Sequence, residues 1–332
     1  MAYQTVTAQN ERDLLDILNK FLTTDPTLVA NGQNWTILLD RTLPATPTTK
    51  EIRQIAWKST GTGIEQDIYI CASTANLISA DTYNINFWGG TFYNAQFVTP
   101  TEIHTGLINP SPGVALFADN RPVEYHIVAD GRCCKIVTRI SQVCSGAYLG
   151  FILPTVPPTE YPYPLCIAGS APIVNSNNNA VFIRYSQADE FNSSIVNPFY
   201  GNCWLITPDQ AWRDFYGQRY ERVTADSSNQ WLYPISNLQF YSRHQQPQIM
   251  REMGASPGGS FPLFQVEFFS SAGSSQGSNR WGAMDGIYWI PGLQRAAGDK
   301  VTIAAGRSGV VFNGGFRVTT VDYFVLETTT GA

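Results

Sequence analysis

Three histidines, six cysteines and one acidic dipeptide are the groups in this 332-residue chain best suited to chemistry. A serine hydrolase needs a histidine beside its nucleophile and an acid behind that histidine. His126 stands in the alternating segment Val123-Glu-Tyr-His-Ile-Val128, where a packed or cross-strand role is expected. His244 lies in the polar stretch Tyr-Ser-Arg-His-Gln-Gln, suited to solvent, and His104 completes the set. Asp189-Glu190 has the residue types of a glycosidase pair, yet neighbouring acids on a loop are ordinarily solvated. Gly61-Thr-Gly63 lacks the lysine and the glycine spacing of a phosphate-binding loop and reads as a strand-ending turn.

The cysteines are Cys71, Cys133, Cys134, Cys144, Cys166 and Cys203. None forms a Cys-x-x-Cys pair and no histidine sits at zinc-finger spacing, so neither a metal nor a cofactor is expected. Buried free thiols made in a reducing cytoplasm are the plain reading. The sharper one makes all six candidates for disulfides or contacts between subunits. Adjacent Cys133 and Cys134 on a strand point to opposite faces, which predicts that only one of them meets the core.

The groups that must position these side chains are mostly uncharged. Charged residues make up 14% of the chain, against roughly 25% in an average soluble protein. Asn, Ser, Thr, Gln and Gly fill the difference. Such a surface can be buried against a neighbour at a low desolvation cost. The net charge is −5 and no basic run exists, which argues against phosphate-neutralising nucleic-acid binding. No apolar run approaches ~18 residues, so no membrane span is expected. The opening Met-Ala-Tyr-Gln-Thr-Val-Thr lacks the charged and apolar regions of a signal peptide.

One helix is predicted over 9–23. Leu14, Ile17, Leu18 and Phe21 recur at helical spacing, Asn10 or Thr7 caps the start, and Asp25-Pro26 ends it. Glu11, Arg12, Asp16, Asn19 and Lys20 are assigned to its solvent face. Thereafter the period falls to two. Strands are expected at 34–39, 51–58 (a helix being the alternative), 67–72, 83–88, 114–117, 123–128, 134–140 and 146–153. Asp130-Gly131 makes a hairpin of the segments around it, and Gly89-Gly90 reads as a turn. Trp212-Arg-Asp-Phe-Tyr216 reads as a short helix, and 175–179, 254–259 and 270–278 as loops. Strands at 261–269, 282–291, 300–303, 309–312 and 322–327 close the chain. The class is mainly β, with β-sandwich or jelly-roll-like domains and one amphipathic N-terminal helix. The expected division is a helical arm over 1–30, a sandwich over 31–170, and a second β-rich domain, or the completion of the same sandwich, over 171–332.

The most distinctive stretch follows Tyr148. Pro154, Pro157, Pro158, Pro162 and Pro164 interleave with Tyr161 and Tyr163. Proline fixes φ and removes a donor, so this segment is expected to stay out of central sheets and to lie as a stiff packing band across another surface, of the same chain or of a neighbour.

Several segments together resemble structural proteins of contractile-tailed bacteriophages. They are Asp13–Leu22 followed by Asn34-Trp-Thr, the glycine-rich break before Asp67-Ile-Tyr-Ile70, and the hairpin Val123–Arg139. The bands Ala147–Pro154 and Tyr161–Ser170, and the C-terminal Met284–Gly292, Val310-Val-Phe312 and Asp322–Leu326, complete the set. The resemblance implies a virion component of the neck, collar, tail or baseplate, assembled in the host cytoplasm. It implies a homo-oligomer, trimeric or hexameric, packed against other tail or neck proteins, with no catalytic residues to carry over. The family hairpin and band do not require thiols, so Cys133, Cys134, Cys144 and Cys166 would mark additional cross-linking. The rival reading is a carbohydrate-binding or receptor-binding tail-tip module.

Overall fold

The computed structural model describes residues 1–61, 66–141, 143–172, 202–215, 230–233, 262–271, 278–291, 296–313 and 322–329. The protein is mainly β, 56% strand, with several antiparallel sheets and an N-terminal helical segment. The expected elements at 175–179 and 254–259, together with Asp189-Glu190 and His244, lie outside the described residues.

A seven-stranded sheet runs through the centre. Its strand order is β1 (Ala2–Ala8), β9 (Val123–Ala129), β10 (Cys133–Ile140), β11 (Val143–Phe151), β13 (Leu165–Gly169), β15 (Asn202–Ile206) and β16 (Trp212–Asp214). A first outer sheet is ordered β14 (Ala171–Pro172), β8 (Val114–Phe117), β5 (Thr82–Gly90), β4 (Ile68–Leu77), β3 (Ile52–Ser59) and β2 (Thr36–Leu43). A second outer sheet contains β17 (Gln230–Tyr233), β18 (Phe264–Ser271), β19 (Ser278–Pro291), β22 (Asp322–Thr329), β21 (Arg307–Asn313) and β20 (Lys300–Ala304). The short strand β12 (Leu153–Pro154) also pairs with β19. A two-stranded ribbon, β6 (Phe92–Tyr93) and β7 (Leu107–Ile108), completes the set.

Alternation along the central sheet decides the architecture. Cys134 and Ile136 of β10, Ala147 and Leu149 of β11, and Leu165 and Ile167 of β13 join a core with Ile55, Trp57, Ile70 and Phe87 of the first outer sheet. Their neighbours Cys133 and Val137, Tyr148, and Cys166 and Ala168 join a second core with Val266, Phe268, Trp289 and Phe324 of the other outer sheet. Both faces of the central sheet are therefore dry, and the molecule is a three-layer β stack. This corrects the expectation that only one of Cys133 and Cys134 meets a core: both are buried, one in each.

Helix α1 (Glu11–Thr24) caps one end of the first core. The Asn10 side chain accepts from the Arg12 and Asp13 amides, and Asp13 accepts from the Gln9 amide, satisfying donors that a helix start leaves open. Leu14, Leu15, Leu18, Phe21 and Leu22 are all buried, each contributing about 1.5–3 kcal/mol by leaving water. Asp25 then caps the short helix α2 (Pro26–Ala30) through the Thr27 and Leu28 amides. One assignment changes: Glu11 is buried, not solvent-facing.

Other expectations meet the structure unevenly. Segment 51–58 is a strand, and the Asp130-Gly131 hairpin pairs Ala129 with Cys134. Gly89 and Gly90 extend β5 rather than turn the chain. Gly89 is needed for closeness, since a Cβ there would lie 2.6 Å from Ile167 Cδ1 of the central sheet. Trp212–Asp214 is a strand, because Trp212 reaches across the fold to donate to the Asn109 carbonyl at 2.9 Å.

Candidate functional site

The proline band folds back on itself. The Pro157 carbonyl accepts from the amides of Glu160 and Tyr161 at 2.9 and 3.0 Å. Pro154 sits in a sheet after all, opposite Gly282 on β19. It does so at an edge, the one setting in a sheet where a missing donor is tolerated. Pro162 is exposed, whereas Tyr161, Tyr163 and Pro164 are buried in their own chain. The Tyr163 hydroxyl donates to the carbonyls of Asp67 and Gly90 at 2.7 and 2.9 Å, and its ring meets Phe151 edge-on. The Tyr161 hydroxyl donates to the Ile206 carbonyl. Burial pushes both phenols up from their ordinary pKa. The tyrosines are internal props that join the central sheet to its neighbours.

Tyr148 leads to the densest polar cluster among the described residues. It lies in the second core, between the central sheet and β19. Tyr148 donates to the Phe151 carbonyl at 2.7 Å and accepts from the Asp285 amide at 3.2 Å. Beside it, the fully buried Lys135 donates from Nζ to the Asp285 carbonyl at 3.1 Å. Gly286 bends β19 at φ +65°, and a Cβ there would stand 2.9 Å from that nitrogen. Ligand atoms of Asp130, Cys133 and Asp285 lie within 4.8 Å of one another. Further along β22, Glu327 is 2% exposed and receives both Nε and Nη2 of Arg307 at 2.6 Å. Tyr288 donates to the same carboxylate at 3.2 Å.

The electrostatics of this cluster favour a staple. Burial presses the Lys135 pKa down, and the surrounding groups, Cys133 first and then Asp285, Asp130 and Glu327, raise it by more, so the ammonium form is favoured. Burial drives Cys133 well above the ordinary thiol range. A divalent cation among Asp130, Cys133 and Asp285 would have to displace or withstand that ammonium. Lys135 therefore reads as a staple between layers: its Nζ ties β10 to β19 through the Asp285 carbonyl, and removing it leaves that buried acceptor without its donor. Its signal was present in the sequence: Lys135 shares a strand face with Cys133 and Val137 and so falls on an apolar face.

All six cysteines are buried, and no two sulfurs lie at bonding distance. Cys166 and Cys203, on adjacent strands, bring their sulfurs to 3.7 Å, which is contact rather than a bond. Cys71 lies under the first outer sheet with Tyr93 and Ile103, and Cys144 in the second core. All six sulfurs are enclosed by their own chain, as the plain reading of buried thiols expects. His126 has the packed cross-strand role expected of it, contacting Tyr3 Oη at 2.9 Å and Glu124 at 3.4 Å. His104 stacks on Trp88. Burial lowers the pKa of both imidazoles.

A second feature lies at the start of α1. A cleft of about 390 Å³ is lined by residues that include Asn10, Glu11, Lys50, Ile78 and Asn120. Glu11 was missed as a site residue because its neighbours in sequence are charged. Its spacing to Leu15, Leu18 and Leu22 places it on the buried stripe.

No helix among the described residues is long and apolar enough to cross a membrane. Compared with known proteins, the chain matches no family model and no curated sequence.

Proposed function

We propose that this chain is a structural subunit of a contractile-tailed bacteriophage virion, forming a symmetric ring at the neck, tail or baseplate by self-association. The ordered segments from Asp13–Leu22 to Asp322–Leu326 support the family. The observation that carries the assembly reading is the excursion 91–108 outside the first outer sheet. Its cross-strand pair Phe92 and Ile108 is 52% and 41% exposed, and Phe97 is 57% exposed. Large apolar side chains grouped on a surface otherwise poor in charge suit burial against a second copy.

The test combines location and association. Native mass spectrometry of the purified chain is expected to give a closed oligomer, and Phe92→Ser with Phe97→Ser is expected to shift it toward monomer. Reconstruction of the particle is expected to place the chain in a ring. A chain that stays monomeric at high concentration and is absent from purified virions would overturn the proposal.

A further inference from the structure

The cleft at the start of α1 carries a carboxyl group that the fold leaves unanswered. Glu11 lines the cleft and is 3% exposed, and its Oε2 has no hydrogen-bond partner. Its own amide is spent on the Asp119 carbonyl at 2.8 Å. A buried acceptor without a donor costs about 1–3 kcal/mol, so the position calls for an explanation that packing does not give. Burial also pushes the Glu11 pKa up, opposed by a contact of the carboxyl with its own amide and by Lys50, and reinforced by Asp119.

The other groups in the cleft define what would supply the donor. Arg12 pairs with Glu51 across the opening, and both side chains are well exposed, at 39% and 51%. Lys50 donates to Asn120 and lies 4.8 Å over the Tyr83 ring. Two cations beside the cleft disfavour a cationic ligand, and two carboxylates disfavour an anion. A hydroxyl group is neutral, donates to a carboxyl oxygen, and accepts from an ammonium or amide in the same contact. Ile78, 45% exposed, adds an apolar wall of the kind that faces C–H groups. Exposed ion pairs such as Arg12–Glu51 are worth little, so an entering ligand displaces that bridge cheaply and reaches the acid behind it.

We infer that this cleft is a binding site for a saccharide unit, with Glu11 accepting from a sugar hydroxyl, Lys50 and Asn120 holding adjacent oxygens, and Ile78 packing on the ring. The site is independent of self-association, and its failure would leave the assembly proposal standing.

Saturation-transfer NMR on the full chain with glucose, galactose and N-acetylglucosamine tests it. At least one sugar is expected to show transfer with the wild-type chain. Glu11→Met keeps the side-chain volume and removes the acceptor, and is expected to weaken binding about tenfold or more. Ile78→Ser, at an exposed position that folding does not need, is expected to weaken it as well. Absence of transfer from all three sugars would overturn the inference, as would transfer that survives Glu11→Met. A Glu11→Met chain that binds sugar normally yet is more stable would show that the carboxyl acts only as a flaw in packing.

Discussion

Adjacent residues of β10 offer a sharp test of the three-layer stack. Ile136 lies in the core with the first outer sheet and Val137 in the core with the second, and both are fully buried. In a two-layer sandwich one of the pair would face water, and trimming it would change stability by no more than about 0.5 kcal/mol. Here Val137→Ala removes two carbons, about 1.6 kcal/mol at about 0.8 kcal/mol per methylene. Incomplete collapse of the space adds roughly a further 1 kcal/mol, for a total of about 2–3 kcal/mol. Ile136→Ala removes three carbons and is expected to cost about 3–4 kcal/mol by the same reckoning. The side chains point to opposite faces and share no partner, so the double variant is expected to show the sum to within about 0.5 kcal/mol. Urea unfolding followed by tryptophan fluorescence reads this directly, because Trp57 reports on one core and Trp289 on the other. A Val137→Ala chain within about 0.5 kcal/mol of the parent, beside a fully destabilised Ile136→Ala chain, would refute the layered architecture.

Four further outcomes are expected. A thiol-specific reagent should find no fast-reacting cysteine in the native chain and all six after denaturation; one rapid native thiol would contradict the described packing. Lys135→Met should destabilise the chain by about 1–3 kcal/mol, because the buried Asp285 carbonyl loses its donor, and thermal melting at neutral pH would show this; an unchanged melt would mean the contact is not a staple. Gly131→Ala should destabilise the hairpin end, since its Cβ would stand 2.0 Å from the Gly61 carbonyl oxygen, and a chain with unaltered melting would place that turn elsewhere. Glu11 has a raised pKa in the fold, so its contribution is fully present below the ordinary carboxyl range and is lost as pH rises through the folded value. Glu11→Gln should therefore gain stability over the parent as pH climbs toward neutrality, and parallel denaturation curves across that range would dismiss the buried-acid reading.

What could be read in the residues was local. Asn10, the Leu14–Phe21 stripe and Asp25-Pro26 announce a capped helix, and Asp130-Gly131 announces a hairpin, which closes with Ala129 opposite Cys134. Asp67–Ala72 and Tyr83–Trp88 were expected to be neighbours and are paired, with Ala72 opposite Phe87. What escaped was set by distant partners. Trp212–Asp214 is held extended by β15 and by a contact more than 100 residues away, beyond the reach of any local periodicity. The burial of both Cys133 and Cys134 depends on a third layer built from residues after 260. The proline band could be read as a packing segment, but that its tyrosine hydroxyls meet carbonyls of the same chain depends on distant residues. Of the candidate sites, Lys135 and Glu11 betray themselves in the sequence as charges at apolar positions of a strand and a helix, while the groups they meet come from distant elements.

The position of β1 bears on how the chain is made. Ala2 pairs with Ala129 and Ala8 with Val123, so the first strand has no mate until residue 123 has been synthesised. At about 5–20 residues per second, the 115 residues between Ala8 and Val123 take roughly 6–23 s to emerge. Throughout that interval the leading strand is an unmatched ribbon, open to any neighbouring nascent copy whose residues 123–129 emerge first. Exchange of that ribbon between copies would link two chains without any new contact type, and translation speed would set how often it happens.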